Sequence, residues 1–381
     1  MIYLDNNATT RIAPEVFEEM VPYLTEYWGN PSSAYRFAQE ARSAMEKARD
    51  QVAALLGCEP REIYFTSCGT ESDNAALQSA LRVTGRRKIV ISAVEHSAIL
   101  NHGEQLAKQG IQVVSLPVDS QGLLSLADFE KAVDEETAIC SLMWANNETG
   151  VLFPVEELAE ICKLKGVLFH TDAVQAVGKI PIEMRRNKID YLSLSGHKLH
   201  APKGVGALYI RRRVKFSPYL IGGHQEQGKR GGTENVASIV ALGRASELVL
   251  ERIADEQTRV RAMRDRLEDF ILKEIPATVR NGDAEKRLPN TTSIGFEGVD
   301  AESILAMLDQ ETICCSSGSA CTTGSPEPSH VLRAMNVPLA RAKGSLRFSF
   351  GFYNSEADVA RVEQTLPGIL KKLRASQLAP A

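Results

Sequence analysis

Two polar side chains follow apolar, strand-like runs of this sequence, at the point where each run ends. Asp172 follows residues 167–171, and Lys198 lies in the turn after residues 189–194. Lysine is seldom buried without a partner, so Lys198 is either a surface lysine or one that binds something covalently. Pyridoxal phosphate needs a lysine that binds it covalently and a carboxylate that keeps its ring nitrogen protonated. Asp172 and Lys198 therefore predict a pyridoxal-phosphate site.

A third strand-to-helix junction has the composition of a phosphate site. The segment Ser67-Cys-Gly-Thr-Glu-Ser-Asp-Asn74 joins a strand-like run to a helix. Gly69 permits a close backbone approach, and Thr70 with the free N–H groups of the helix can hold a phosphate. An ordinary helix N-cap explains the same residues, so both interpretations stay open here.

Further polar residues follow other strands and could surround a cofactor ring. His96 could stack on the ring and exchange protons near neutral pH, although an exposed loop histidine fits equally well. Asn147 could donate a hydrogen bond to a ring oxygen or a substrate carboxylate. Alternatively, it belongs to an ordinary turn, because the residues of its segment are typical of turns. Gln175 could reach the same ring, or it is a surface residue of the following helix.

The C-terminal third of the sequence adds a thiol and a guanidinium group. Cys321 lies among small residues, which predict a mobile loop with an exposed thiol that is nucleophilic as its thiolate. A metal or iron–sulfur site made with Cys314 and Cys315 is a weak rival, because the spacing lacks a C-x2-C pair; those two are better explained as buried, inert thiols. Arg347 could clamp an amino-acid carboxylate, or it faces water on an edge strand.

The elements that must position these residues alternate between short apolar strands and helices. This alternation predicts an α/β fold with a mainly parallel sheet covered on both faces, with ligands beyond the carboxyl ends of the strands. A long helix, broken or bent, is expected from about residue 236 to 273. We predict a large cofactor domain at 15–258 and a smaller α+β domain from 1–14 and 259–381.

Bulk composition narrows the class of protein. The 381 residues carry a formal net charge of -4, which gives no reason to expect nucleic acid as the main ligand. No apolar run approaches the ~20 residues that a membrane helix needs, so we expect no membrane association. The N-terminus lacks the pattern of a signal peptide. The odd count of 7 cysteines suits reduced thiols in the cytoplasm.

In combination, these stretches resemble the NifS/IscS-type cysteine desulfurases, which are pyridoxal-phosphate enzymes of fold type I in the class V aminotransferase family. The resemblance covers nearly the whole chain, and residues 143–150 with the chain's end soon after Leu373 favour the NifS-like branch. The segments that carry it are Tyr3-Leu-Asp-Asn-Asn-Ala-Thr-Thr10, Gly29-Asn-Pro-Ser-Ser33, Thr171-Asp-Ala-Val-Gln175, Ser195-Gly-His-Lys198, Arg230-Gly-Gly-Thr-Glu-Asn235 and Ser316-Ser-Gly-Ser-Ala-Cys321.

The resemblance implies roles around the cofactor. Lys198 would bind pyridoxal phosphate and later move the proton of the substrate's α-carbon, Asp172 would pair with the ring nitrogen, and His96 would stack on the ring. Asn147 and Gln175 would lie near the ring hydroxyl. The phosphate would be bound by Gly69, Thr70, Ser195 and His197, and by Thr233 of the other subunit of a homodimer.

The resemblance also implies the reaction. Arg347, with Asn147, would hold the carboxylate of L-cysteine, and Cys321 would take the sulfur as a persulfide, which leaves L-alanine. An iron–sulfur scaffold or another acceptor protein would receive the sulfur. No resident metal is implied, although Cys321 could ligate an iron–sulfur cluster transiently. Alternatives are a selenocysteine lyase or an aminotransferase on the same fold, or a cysteine-ligated iron–sulfur carrier.

Overall fold

The structure is a computed structural model that describes residues 1–317 and 328–378. The strands are β1 (Ile2–Tyr3), β2 (Ile63–Thr66), β3 (Lys88–Ser92), β4 (Gln112–Leu116), β5 (Thr137–Ser141), β6 (Leu168–Asp172), β7 (Tyr191–Ser195), β8 (Gly206–Ile210), β9 (Thr278–Arg280), β10 (Thr291–Phe296), β11 (Ile313–Cys314) and β12 (Ser345–Ser349).

Helices occupy most of the chain between these strands. They are α1 (Pro14–Met20), α2 (Pro22–Thr25), α3 (Arg36–Leu56), α4 (Gly69–Thr84), α5 (Ser97–Lys108), α6 (Leu126–Ala132), α7 (Val155–Leu164), α8 (Gln225–Gly228, one irregular turn), α9 (Val236–Glu251), α10 (Ile253–Asp255), α11 (Arg261–Glu274), α12 (Ala301–Gln310), α13 (His330–Ala334), α14 (Leu339–Lys343) and α15 (Glu356–Leu378). A π-helical turn, Glu256–Val260, joins α10 to α11.

A seven-stranded sheet forms the centre of the fold, with the strand order β2-β8-β7-β6-β5-β3-β4. Strand β8 runs antiparallel to both of its neighbours, and the other neighbouring pairs are parallel. The carboxyl ends of β2, β3, β5, β6 and β7 therefore lie at one edge. The prediction of a mainly parallel sheet is confirmed.

Both faces of this sheet are covered, as continuous apolar strands require. Within β3, Ile89 and Ile91 pack with helices α4 and α5 on one face, whereas Val90 packs with α3, α7 and α9 on the other. Apolar side chains recur every three or four residues along α3, and this helix ends at Gly57, whose φ of 61° suits a left-handed cap.

A smaller antiparallel sheet, in the order β12-β10-β9, has a separate core with α11, α12 and α15. The N-terminus joins it, because β1 pairs with β11 and Leu4 is buried in the same cluster. Strand β12 brings Arg347 to the edge of the large sheet where the cavity described below opens. The predicted domain boundaries at 14/15 and 258/259 stay a prediction.

Two helical stretches are interrupted. Residues 14–25 form two helices, α1 and α2, which divide at Pro22, because proline has no N–H to continue the hydrogen-bond ladder. The long helix expected from about residue 236 is broken after Glu251, and the π-helical turn follows, so the predicted break is confirmed. Over residues 1–317 and 328–378, no helix combines the length and apolar character needed to cross a membrane.

Candidate active site

One cavity of about 320 Å³ opens at the edge where the parallel strands end. Its size and its position beyond the carboxyl ends are typical of a ligand site in an α/β sheet. Most of the residues predicted from the sequence line it: Gly69, Thr70, His96, Asn147, Asp172, Gln175, Ser195, His197, Lys198 and Arg347. Cys321 lies outside the described residues. Thr233 is exposed and lines a separate cavity, beside Arg230.

Lys198 ends a single 3-10 turn, Gly196–Lys198, directly after β7. Its ammonium group donates hydrogen bonds to the backbone carbonyls of Asn7 and Ala8, the latter at 2.6 Å. The side chain is half-buried and lines the cavity, so the surface-lysine alternative is wrong. The N-terminal segment thus holds the amine at the place where a covalent ligand would sit.

Three carboxyl groups, those of Asp73, Glu148 and Asp172, lie on the wall of the cavity. Asp172 ends β6, is buried, and accepts a hydrogen bond from the Val174 N–H at 2.9 Å. Burial raises the pKa of Asp172, while His96 and Lys198 oppose that rise. Asp73 on α4 is also buried, and burial together with the Asp172 charge raises its pKa well above the usual value. A cationic ring nitrogen would stabilise the ionised form of Asp172 here.

The N-terminus of α4 also lines the cavity, through Gly69 and Thr70. Its N-cap is Cys68, which makes no side-chain cap, and Thr70 lies in the first turn of the helix, as the ordinary helix-terminus interpretation also expects. A Cβ on Gly69 would lie 2.8 Å from Cγ2 of Val174, so only glycine leaves this approach open. The His197 ring lies 3.1 Å from the Thr9 hydroxyl, and burial lowers the pKa of His197 to about 4.

Two of the predicted ring neighbours are fixed by local hydrogen bonds. His96 caps α5, with its Nδ1 accepting from the Ala98 N–H at 3.2 Å, and burial lowers its pKa. Gln175 is buried, donates to the Asn7 carbonyl at 3.0 Å, and accepts from Lys179 at 2.8 Å. The exposed-loop and surface-helix alternatives for His96 and Gln175 are therefore wrong.

Arg347 is fully buried, although it lies on the edge strand β12. Its guanidinium group donates to the Asn147 carbonyl at 2.8 Å and to the Asp5 carboxylate at 2.6 Å. The water-facing alternative is wrong. The structure thus places a buried cation in the cavity, where it can bind a carboxylate.

Several cavity residues were missed by the sequence analysis. Asn7, Asp73, Glu148 and His330 line the cavity, and Asp5 contacts it through Arg347. The N-terminal motif contained Asn7 and Asp5, but nothing in their types signals that a backbone carbonyl of Asn7 would bind Lys198. His330 begins the short helix α13, where a histidine carries no specific signal.

The described cysteines are all free thiols and differ in exposure. Cys314 and Cys315 are only half-buried, contrary to the expectation of buried thiols, yet burial raises the pKa of both. A raised pKa disfavours the reactive thiolate, in agreement with inert thiols. Within the ranges that the structure describes, no three His, Cys, Asp or Glu side chains come together as metal ligands.

The cavity fits pyridoxal phosphate. The volume is adequate, a buried carboxylate faces a lysine across it, and the N-terminus of a helix opens onto the end that would bind a phosphate. A Cβ on Gly69 would collide with Val174 of the cavity wall, so glycine lets the N-terminus of α4 lie close to the strand ends that carry Asp172 and Ser195. The residues that form the cavity, the carboxylate–lysine pair and the helix N-terminus all lie within the described part of the chain.

Comparison with known proteins identifies the class. The model of the family "Aminotransferase class-V" matches residues 2–362. The chain therefore belongs to the class-V aminotransferases, a family of pyridoxal-phosphate enzymes of fold type I, and within it to the cysteine desulfurases of NifS type.

The individual relatives agree with that family. A cysteine desulfurase of Nostoc sp. is 53% identical over 376 residues, which is 98% of this chain and 94% of the relative. Cysteine desulfurase NifS of Azotobacter vinelandii is 51% identical over 375 residues, covering 98% and 93% of the two chains. A solved structure described as a NifS-like protein superimposes with a TM-score of 0.92 at 39% identity, covering 98% of this chain and 100% of that one.

Proposed function

We propose that the enzyme converts L-cysteine to L-alanine, carries the removed sulfur as a persulfide on Cys321, and supplies it for iron–sulfur cluster assembly. One observation supports this most: Lys198, Asp172 and Arg347 line a single cavity. An amine for the cofactor, a carboxylate for its ring and a cation for the substrate carboxylate are the parts that an amino-acid substrate requires.

Arg347 binds and orients the substrate in this proposal. Its guanidinium group presents donors in a planar fork that matches a carboxylate. Asp5 and the Asn147 carbonyl hold that fork in place before the substrate arrives. The Asn147 side chain lines the same cavity and is available to the substrate or the cofactor.

Lys198 moves the proton of the substrate's α-carbon. Its half-buried ammonium lies against the Asn7 and Ala8 carbonyls, which fix its position beside Asp172 and His96 in the cavity wall. When bound, pyridoxal phosphate supplies an electron sink for the charge that develops on the substrate. Asp172 keeps the ring nitrogen protonated, and Gly69, Thr70, Ser195 and His197 bind the phosphate.

Cys321 accepts the sulfur. Its thiolate attacks the substrate sulfur, so an S–S bond forms while the carbon–sulfur bond breaks and leaves its electron pair on the substrate carbon. Protonation of that carbon gives alanine. The sulfur on Cys321 is then at the sulfane level, and a thiol reductant or an acceptor thiol is needed to remove it.

We further infer a homodimer in the cytoplasm. Thr233 is exposed and lies away from the cavity of its own chain, as a residue that completes a partner's phosphate site would. The free thiols of Cys58, Cys68, Cys140 and Cys162 suit a reducing compartment. An iron–sulfur scaffold is the proposed sulfur acceptor.

The test is alanine formed from L-cysteine with a thiol reductant present. The parent is compared with Lys198→Ala and Cys321→Ala, and Cys314→Ala serves as a matched thiol control. We expect alanine with equal sulfide from the parent and the control, and almost none from the other two. Equal alanine from Cys321→Ala would reject Cys321 as the sulfur acceptor and leave only generic pyridoxal-phosphate chemistry.

A further inference from the structure

A second, much smaller cavity lies behind Lys198, on the side away from the cofactor cavity. We call it the rear cavity; its volume is about 20 Å³. A cavity of more than roughly 10–15 Å³ can hold one water molecule if polar partners surround it. Its polar and charged lining includes Asn6, Lys179, Lys198, His200, Arg252 and Glu256.

Lys179 lies between the two cavities. The residue is buried, and its ammonium group donates to Oε1 of Gln175 at 2.8 Å and to Oδ1 of Asn7 at 3.3 Å. An ammonium group has three protons. Within the described residues, Lys179 has two acceptors, Gln175 and Asn7. Its third N–H is therefore available to the rear cavity.

Glu256 faces the same cavity from the π-helical turn. It is buried, and its Oε2 has no hydrogen-bond partner in the part of the chain that the structure describes. Gln257, the next residue, donates to the Lys179 carbonyl and fixes the turn against Lys179. Lys179 and Glu256 nevertheless form no direct ion pair at 4.0 Å or less within the described residues.

We propose that one water molecule occupies the rear cavity, accepts a hydrogen bond from Lys179 and donates one to Oε2 of Glu256, and that this water-bridged pair positions Gln175. The third donor of Lys179 and the unpartnered carboxylate oxygen then each have a partner, as buried polar groups require. Burial lowers the pKa of Lys179 and raises that of Glu256, and the charge of each group opposes the shift of the other, as expected for two groups that lie close together.

The consequence for the site is the orientation of one amide. Because the ammonium form of Lys179 can only donate, it fixes Oε1 of Gln175 on its own side and turns Nε2 toward the Asn7 carbonyl and the cofactor cavity. Gln175 can then only donate toward that cavity. Lys179 and Glu256 are positioning residues, and their role rests on the proposed place of Gln175 beside the cofactor.

A crystal structure of the holoenzyme, at a resolution that shows ordered water, tests the first half of the proposal. We expect one water within hydrogen-bond distance of both Lys179 and Glu256. An empty rear cavity, or a direct contact between the two side chains, would overturn the bridged pair. This outcome is independent of sulfur transfer.

Variants test the positioning role, in a Cys321→Ala background so that persulfide chemistry plays no part. Lys179→Met removes the donor to Gln175, and Glu256→Leu removes the carboxylate that accepts from the water. For both we expect a shifted visible absorption of the bound cofactor and pyridoxal-phosphate affinity weaker by roughly tenfold, the loss typical of a hydrogen bond to a charged group. Glu256→Gln keeps a water partner, so its absorption and affinity should stay close to the parent's.

Lys88→Met is the matched control. Lys88 is equally buried and pairs with Asp134 at 2.6 Å, away from both cavities. The control distinguishes the effect of losing any buried cation from the effect of losing Lys179. Parental absorption and affinity in Lys179→Met and Glu256→Leu would overturn the proposal, and so would the same change in Lys88→Met. If Lys179→Met fails to fold, the Glu256→Leu and Glu256→Gln pair still decides.

Discussion

Arg347 illustrates how single residues make this site. Its guanidinium group is buried, and its position depends on Asp5, which is 342 residues away in sequence, and on the Asn147 carbonyl. Because one carboxylate and one carbonyl already hold the buried guanidinium group, it is oriented to bind a second carboxylate, that of the substrate. The substrate therefore meets a fork that needs little reorganisation.

We predict that Arg347→Lys raises the KM for L-cysteine by about tenfold or more and changes kcat less. Lysine is a point charge and cannot form the two parallel hydrogen bonds of the guanidinium fork. Initial rates of alanine formation over a range of L-cysteine concentrations measure both constants. Arg361→Lys, at an exposed position, is the control; an unchanged KM in Arg347→Lys would argue against carboxylate binding by Arg347.

Stability should depend on pH through His200. Its ring is buried against Phe352 at 4.1 Å between centroids, and burial lowers its pKa from 6.5 to about 4. Because the folded pKa lies below the unfolded one, the unfolded state binds the proton first. The contribution of His200 is therefore complete above pH 6.5 and is lost as the pH falls toward 4.

Between about pH 7 and pH 5, we expect this group to cost the parent about 2 kcal/mol of unfolding free energy. His200→Gln should lose less stability than the parent over the same interval, as measured by urea titrations at both pH values. The exposed His224→Gln variant should behave as the parent does. Identical losses in parent and His200→Gln would contradict a buried neutral His200.

Residue types predicted much of the site and not all of it. Asp172 ends a strand, Lys198 and Gln175 stand in short turns after strands, and the chemistry of all three is visible in the side chain itself. Asn7 contributes a backbone carbonyl to Lys198, and a carbonyl has no sequence signature. Asp73 was missed because its relation to Asp172 depends on how α4 packs against β6.

At the scale of elements, α13 connects the C-terminal part to the cavity. Ser329 caps this helix by accepting hydrogen bonds from the N–H groups of Val331 and Leu332, and its hydroxyl donates to the buried carboxylate of Glu148. The next residue, His330, lies 2.9 Å from the Glu95 carbonyl. The chain after residue 327 is therefore fixed to two loops of the cavity wall.

We predict that Ser329→Ala lowers the unfolding free energy by about 2–3 kcal/mol, since it removes a helix cap and leaves a buried carboxylate oxygen without its donor. Ser125→Ala is the matched control: Ser125 caps α6 at an exposed position, and its loss should cost only about 1 kcal/mol. Urea titrations of both variants give the difference. Equal losses would mean that the Glu148 contact contributes nothing.

Strands were easier to predict than helix ends. The strands β2, β3 and β10 coincide with apolar runs of the sequence, because buried strands are short and polar residues flank them. The start of α3 at Arg36 and the π-helical turn depend on tertiary packing. Local periodicity does not contain that information.

At the scale of the whole molecule, Thr233 decides how many chains make one site. It lies with Arg230 in a cavity that is separate from the one around Lys198. A site completed by a partner predicts complementation between two inactive variants. Co-expressed Lys198→Ala and Thr233→Ala chains should form heterodimers in which one of the two sites is intact.

Alanine formation by the isolated heterodimer, made with two affinity tags, measures this. We expect about half of the parent's activity if Thr233 acts on the partner's site, because one site then has both residues. If Thr233 acts within its own chain, neither site is intact, and activity no higher than the mean of the two homodimers would contradict the shared site.

The central claim is that sulfur leaves the substrate for Cys321. The most direct measurement is the mass of the intact protein and of its peptides after a brief exposure of the holoenzyme to L-cysteine without a reductant. The account predicts one added sulfur atom on the peptide that contains Cys321, with an equal amount of alanine released. Sulfur found on Cys314 or Cys315 instead, or alanine released with no added sulfur, would contradict it.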